Sequence, residues 1–202
     1  MGHNILHANH NRVCAVDVET TGLDPSKHEI IQIAVIPVDY RFEPDPDLKP
    51  FCITMRPNKI ANISDEALRV NGLSRQEILH APLTQDQGLQ MFYDWYGTLG
   101  IRDNKQIMPL GQNYAFDRGF LQEWMGMNNY SHHFHYHFRD SMLAAQFLND
   151  KAFMHGDTIP FPHIGLGQLA KRVGLEHPNA HSALADALMS LKVYKRMFRK
   201  IT

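Results

Sequence analysis

The chain has 202 residues, of which 44% are hydrophobic and 20% charged, and its formal net charge is −1. That size supports one domain with a substantial core. The near-neutral charge excludes a global field that draws in nucleic acid, so any polyanion contact must come from local basic groups or bound cations.

Met1 to Arg12 is polar, rich in His and Asn, and lacks the apolar core of a signal peptide. No later apolar run approaches membrane-spanning length, so no membrane partner is expected. Cys14 and Cys52 both lie in apolar, strand-like runs and read as reduced core residues. The expectation is a cytoplasmic protein with a flexible tail over residues 1–12 and one domain over residues 13–202. With thirteen histidines in the chain, a lone histidine carries little information.

Val13 to Val18 reads as a buried strand. Two acids, Asp17 and Glu19, end it one residue apart, and side chains at i and i+2 of a strand share a face. Like charges placed together repel unless a cation sits between them, and a hard divalent ion prefers such oxygen ligands. A strand running into an acidic turn gives the same letters. Leu23-Asp24-Pro25 reads as a turn, and His28 to Val38 as a second strand, antiparallel to the first because the connection is short. Tyr40 to Pro50 is a polar surface loop and Phe51 to Met55 a third strand.

Helices follow. Ser64 caps Asp65 to Val70, and Ser74 opens another helix with Glu77 at the capping-box position. Thr84 to Leu99 carries an apolar stripe of Leu89, Phe92, Tyr93, Tyr96 and Leu99. Gln106 to Leu110 is a fourth strand. Asn113 suits the N-cap of a helix over Tyr114 to Met125, which places Asp117 in its first turns. In Ser131 to Phe138, His133, His135 and His137 alternate with aromatics. Alternation puts them on one strand face, with no Cys or acid at ligand spacing, so a strand or loop with a polar face is expected rather than a metal cluster. Asp140 reads as the cap of a helix through Leu148 rather than a further ligand. Lys151 to His163 is a loop. Leu166 to Val173 is a short helix ended by Gly174, and the last helix runs from Ala183 to Lys200 behind Ser182.

Asp186 falls one turn into that last helix, and His181 just before it. Five residues apart, they are about 140° apart around a helix, so His181 reaches the Asp186 site from the loop. A neutral histidine there suits a general base, since its ordinary pKa of about 6.5 lies near operating pH. Four carboxylates gathered together suit two divalent ions roughly 3.5–4 Å apart.

Asp17-Val18-Glu19-Thr20-Thr21-Gly22, then Asn113-Tyr114-Ala115-Phe116-Asp117, then His181-Ser182-Ala183-Leu184-Ala185-Asp186 resemble, in order and spacing, the three motifs of the DEDDh 3′–5′ exonucleases. That family includes the proofreading epsilon subunit of bacterial DNA polymerase III, RNase T and oligoribonuclease. The resemblance implies an α/β, RNase H-like three-layer fold: a central mixed five-stranded sheet with helices on both faces. It implies hydrolysis from the 3′ end of nucleic acid with two Mg²⁺ or Mn²⁺ ions, and single-stranded DNA is the leading substrate reading. By motif match, Asp17, Glu19, Asp117 and Asp186 are metal ligands and His181 is the base. Thr20, Thr21, Gly22, Leu23, Asn113, Phe116 and Arg118 are the substrate-binding positions. Gln32 departs from the family pattern, standing where relatives often have Glu. The likeness to RNase T allows a homodimer. Two further readings stay open at this point: an exoribonuclease, and a catalytically silent nucleic-acid-binding subunit. The end of the chain at Thr202 favours a stand-alone enzyme over a polymerase-tethered one.

Overall fold

β-Branched and apolar runs define the sheet. In the computed structural model, which describes residues 10–177 and 181–198, the strands are β1 Arg12–Thr20, β2 Ile30–Pro37, β3 Phe51–Thr54, β4 Ile107–Gly111 and β5 Arg139–Asp140. They lie in the order β3-β2-β1-β4-β5. The β1–β2 and β2–β3 pairs are antiparallel, and β1–β4 and β4–β5 are parallel. This is the expected mixed five-stranded sheet. Of the expected tail over residues 1–12, residues 1–9 lie outside the described residues, and Arg12 belongs to β1. Its guanidinium pairs with buried Asp45 at 3.2 Å, and the Asn11 side chain accepts from the Gln106 N–H. Asp45 thus pins the 40–50 segment, which was expected to be a wholly surface loop.

Alternation along β1 sorts the molecule into layers. Cys14, Val16 and Val18 face a core shared with α3 (Gln85–Gly97), α4 (Tyr114–Met125) and α5 (Met127–His133). Val13 and Ala15 face α8 (Ala183–Phe198), which meets the sheet with Ala183, Ala187 and Leu191. The opposite side of α8, with Met189, Val193 and Met197, packs on α6 (Ser141–Met154) and α7 (Leu166–Arg172). Two short helices, α1 (Asp65–Asn71) and α2 (Arg75–Leu79), carry Leu68 and Ile78 onto Ile31.

Ser64, Ser74 and Thr84 cap their helices as expected, and Ser74 and Thr84 each form a capping box. Three expectations change. Ser131 to His133 completes α5, and Phe134 then turns inward beside Ile107, so His133, His135 and His137 do not share a strand face. His133 instead packs its ring on Tyr93 and Tyr96. α6 continues to Met154, and the following segment is anchored by Asn149, whose side chain bonds both backbone groups of buried Phe161. Cys14 is buried, but Cys52 is exposed because β3 is an edge strand and its alternate side chains face solvent. The part of the expected last helix beyond Phe198 lies outside the described residues.

Candidate active site

The period of β1 decides where its acids point. Val13 and Ala15 face α8, so Asp17 and Glu19 continue on that face. β4 pairs with β1 only as far as Ala15, and the last five residues of β1 run on without it. Past the end of the β4 pairing, Val18 N–H donates instead to Asp117 Oδ1 at 2.9 Å. This ties the first turn of α4 to the end of β1. A register shift between Glu19 and Thr20 then bends β1 as it leaves the sheet, the kind of irregularity that re-aims side chains at functional sites.

Asp186, in the first turn of α8, meets the two β1 acids. Among the described residues, Asp17, Glu19 and Asp186 each place one carboxylate oxygen within 4.8 Å of the others. Asp117 is buried beside them but outside that oxygen group, its Oδ1 occupied by Val18. The acids pay electrostatically for this packing. Burial, then the charges of Asp117, Glu19 and Asp186, push the Asp17 carboxyl well above its usual range. Burial also pushes Asp117 well up, partly opposed by the Val18 N–H. Glu19 rises to about 8 through burial and then the charge of Asp186. Asp186 rises through burial, opposed by His177 and by His181. A cluster of partly desolvated, mutually repelling oxygens is a donor set suited to hard divalent cations. The residues present therefore fit the metals that the sequence motifs imply.

His181 is exposed and sits at φ 72°, a left-handed conformation uncommon for a non-glycine residue. Its backbone N–H points to Asp186, 3.2 Å from Oδ1 and 3.4 Å from Oδ2. Its position in a loop ahead of α8 matches the sequence expectation. A second histidine, His177, places Nε2 at 2.9 Å from Asp186 Oδ1. Sequence reasoning passed over it. It falls in no motif.

Gln32, the departure from the family pattern, sits opposite Glu19 across the β1–β2 pair. Its Oε1 accepts from Ala183 N–H, the first residue of α8, at 3.1 Å, and its Nε2 donates to Thr54 Oγ1. A neutral amide here secures the start of the Asp186 helix and adds no further negative charge.

A cleft of about 310 Å³ adjoins the acids, lined by Glu19, Thr20, Gly22, Leu23, Val70 and Phe116 among others. Leu23 is 81% exposed at its rim. The remaining expected substrate positions do not line it. Thr21 is fully buried, and its hydroxyl accepts from the Glu29 N–H, a structural duty. Arg118 lies over the Phe138 ring, 5.7 Å from its centroid. Asn113 takes a left-handed conformation (φ 56°) with no side-chain cap bond. The cap for α4 comes from Asp140, whose two oxygens accept from the Asn113 and Tyr114 N–H groups.

The family model described as Exonuclease (RNase T) matches residues 14–194. The chain belongs to this exonuclease family. No curated protein sequence matched it. Among solved structures, the zinc-bound complex of E. coli exonuclease I with single-stranded DNA matches with a TM-score of 0.72 at 20% identity, over 94% of this chain and 41% of that one. Cell-death related nuclease 4 matches with a TM-score of 0.69 at 18% identity, over 94% of this chain and 64% of that one. A 3′-exonuclease solved in recognition of the 3′ end of a histone mRNA stem-loop matches with a TM-score of 0.66 at 16% identity, again over 94% and 64%. At these identities the likeness establishes the RNase H-like exonuclease fold. This exonuclease-family chain spans between about two fifths and two thirds of the length of these relatives. No described helix is long and apolar enough to cross a membrane.

Proposed function

We propose that this domain is a metal-dependent 3′–5′ exonuclease that acts on single-stranded DNA and releases 5′-mononucleotides. The observation that carries the reading is the meeting of Asp17, Glu19 and Asp186 oxygens within 4.8 Å, beside buried Asp117, in a chain of the exonuclease family. Asp17, Glu19, Asp117 and Asp186 would hold two Mg²⁺ or Mn²⁺ ions, which when bound would supply an activated water and stabilise the leaving oxygen of a phosphodiester.

The chain's own residues do the rest. His181, in its loop beside Asp186, takes the proton of the attacking water at a ring nitrogen. The water oxygen forms the new bond to phosphorus, the P–O3′ bond breaks, and the shortened strand leaves with its 3′ oxygen. The cleft beyond Glu19 takes the terminal nucleotide. Thr20 and Gly22 form one wall, Phe116 another, and exposed Leu23 offers an apolar edge to a base. A strand fed past one such cleft explains single-strand selectivity, since a base must separate from its partner to enter.

The test uses matched 5′-labelled DNA and RNA single strands with Mg²⁺, Mn²⁺ or EDTA, on the wild type and Asp117→Ala. The expected result is a metal-dependent ladder shrinking from the 3′ end, faster on DNA and absent in the variant. A faster ladder on RNA would move the reading to an exoribonuclease, the substrate class named for one of the structural relatives. Binding without any ladder would leave a silent nucleic-acid-binding subunit.

A further inference from the structure

His177 belongs to none of the three motifs, yet it touches the candidate metal site. Its side chain is 9% exposed, and Nε2 lies 2.9 Å from Asp186 Oδ1. That nitrogen is fully enclosed and has no well-directed hydrogen bond among the described residues. A buried imidazole nitrogen left without a partner is costly, and the group within reach is the Asp186 carboxylate. The same oxygen also receives the His181 backbone N–H, at 3.2 Å, while Oδ2 has only a 3.4 Å contact. Two histidines four residues apart therefore converge on one carboxylate. Oδ2 keeps the freer lone pairs, on a side chain whose oxygens gather with those of Asp17 and Glu19.

We propose that His177 is a positioning residue. It donates from Nε2 to Asp186 Oδ1, fixing the carboxylate for cation binding. The inference rests on reading Asp17, Glu19 and Asp186 as cation ligands. Carboxylates that bind metals are commonly held by hydrogen bonds of their own, and loss of such a partner typically costs about 10–100-fold in metal affinity or activity. The Val18 N–H plays this part for Asp117 from the sheet side. His177 plays it for Asp186 from the loop side.

The test pairs two substitutions of similar size, His177→Gln and His177→Leu. The glutamine amide carries an N–H near the place of Nε2; leucine fills the space without a donor. Mn²⁺ binding to the full chain is measured by electron paramagnetic resonance of the free ion, with melting in EDTA to confirm that each variant folds. The expected result is near-wild-type affinity for His177→Gln and about 10–100-fold weaker binding for His177→Leu. Equal affinities for the two folded variants would show that the side chain only fills space, and would overturn the proposal. Turnover lost with Mn²⁺ affinity unchanged would overturn it too, making His177 a proton acceptor instead. Failure of the wild type to bind Mn²⁺ would remove the metal-site reading itself, and the role of His177 with it.

Discussion

Gly22 shows how tightly single residues shape the cleft. A Cβ at this position would lie 2.3 Å from the His28 ring, and that ring is held in turn by the Asp24 N–H at 3.1 Å. The first motif therefore closes with glycine because the chain packs directly against an imidazole. Gly22→Ala should push His28 off Asp24 and distort the cleft wall. The expected cost is about 1–3 kcal/mol of stability, read by denaturant unfolding, and a raised KM for oligonucleotide. An unchanged unfolding midpoint and KM would show that the ring moves aside freely. Residues such as Asp17 and Glu19 were legible in the sequence because a period of 2 fixes their common face, and Asp186 because one helical turn separates it from Ser182. His177 was not legible. It contacts Asp186 across nine residues of chain, and a histidine outside the motifs carries no periodicity that reports that closure. Asn113 misled for a related reason: its letter suits a cap, but the oxygens that do the capping come from Asp140.

Asp140 is the hinge point of two elements. Its carboxylate accepts from Asn113 and Tyr114 at the start of α4, and from Met142 and Leu143 at the start of α6. One side chain thus satisfies four backbone N–H groups that two helix N-termini would otherwise leave open. Its reading as a cap was right for α6 and incomplete for α4. Asp140→Ala should cost on the order of 2–4 kcal/mol, twice the usual loss for a single cap. It should also loosen the first turn of α4, and so the bond from Val18 to Asp117. The measurement is the unfolding free energy together with turnover, and Asp140→Asn should recover part of both. A loss no larger than one cap would mean that α4 keeps its start by other contacts. Helices with strong caps and stripes, such as α3 with Thr84 and Phe92, could be read directly. Ser131 to Phe138 could not, because a helix end at His133 followed by inward Phe134 imitates the alternation of a strand.

At the scale of the whole molecule, acid repulsion is concentrated at this one site. Asp17, Glu19, Asp117 and Asp186 all have carboxyl groups raised above their ordinary range, with Glu19 at about 8. A group whose pKa is higher folded than unfolded binds its proton more tightly when folded. Its contribution to stability is full below the unfolded pKa, about 4 for these acids, and is lost as pH rises through the folded value. The metal-free protein should therefore lose stability between about pH 4 and pH 8. Divalent cations act in the opposite sense, since they bind the deprotonated site of the folded chain. Saturation at 100 times the dissociation constant adds about 2.7 kcal/mol, equivalent to a rise in Tm of roughly 5–10 °C for a chain of this size. Melting curves in EDTA and in Mg²⁺ or Mn²⁺, taken at pH 5.5 and pH 8, check this directly. The metal-induced rise should be small at pH 5.5, full at pH 8, and largely absent in Asp17→Asn, whose metal-free form should melt above the wild type at pH 8. A metal effect of equal size at both pH values would mean that the acids are already ionised at pH 5.5, and that their burial is relieved by the surrounding N–H groups rather than by a cation.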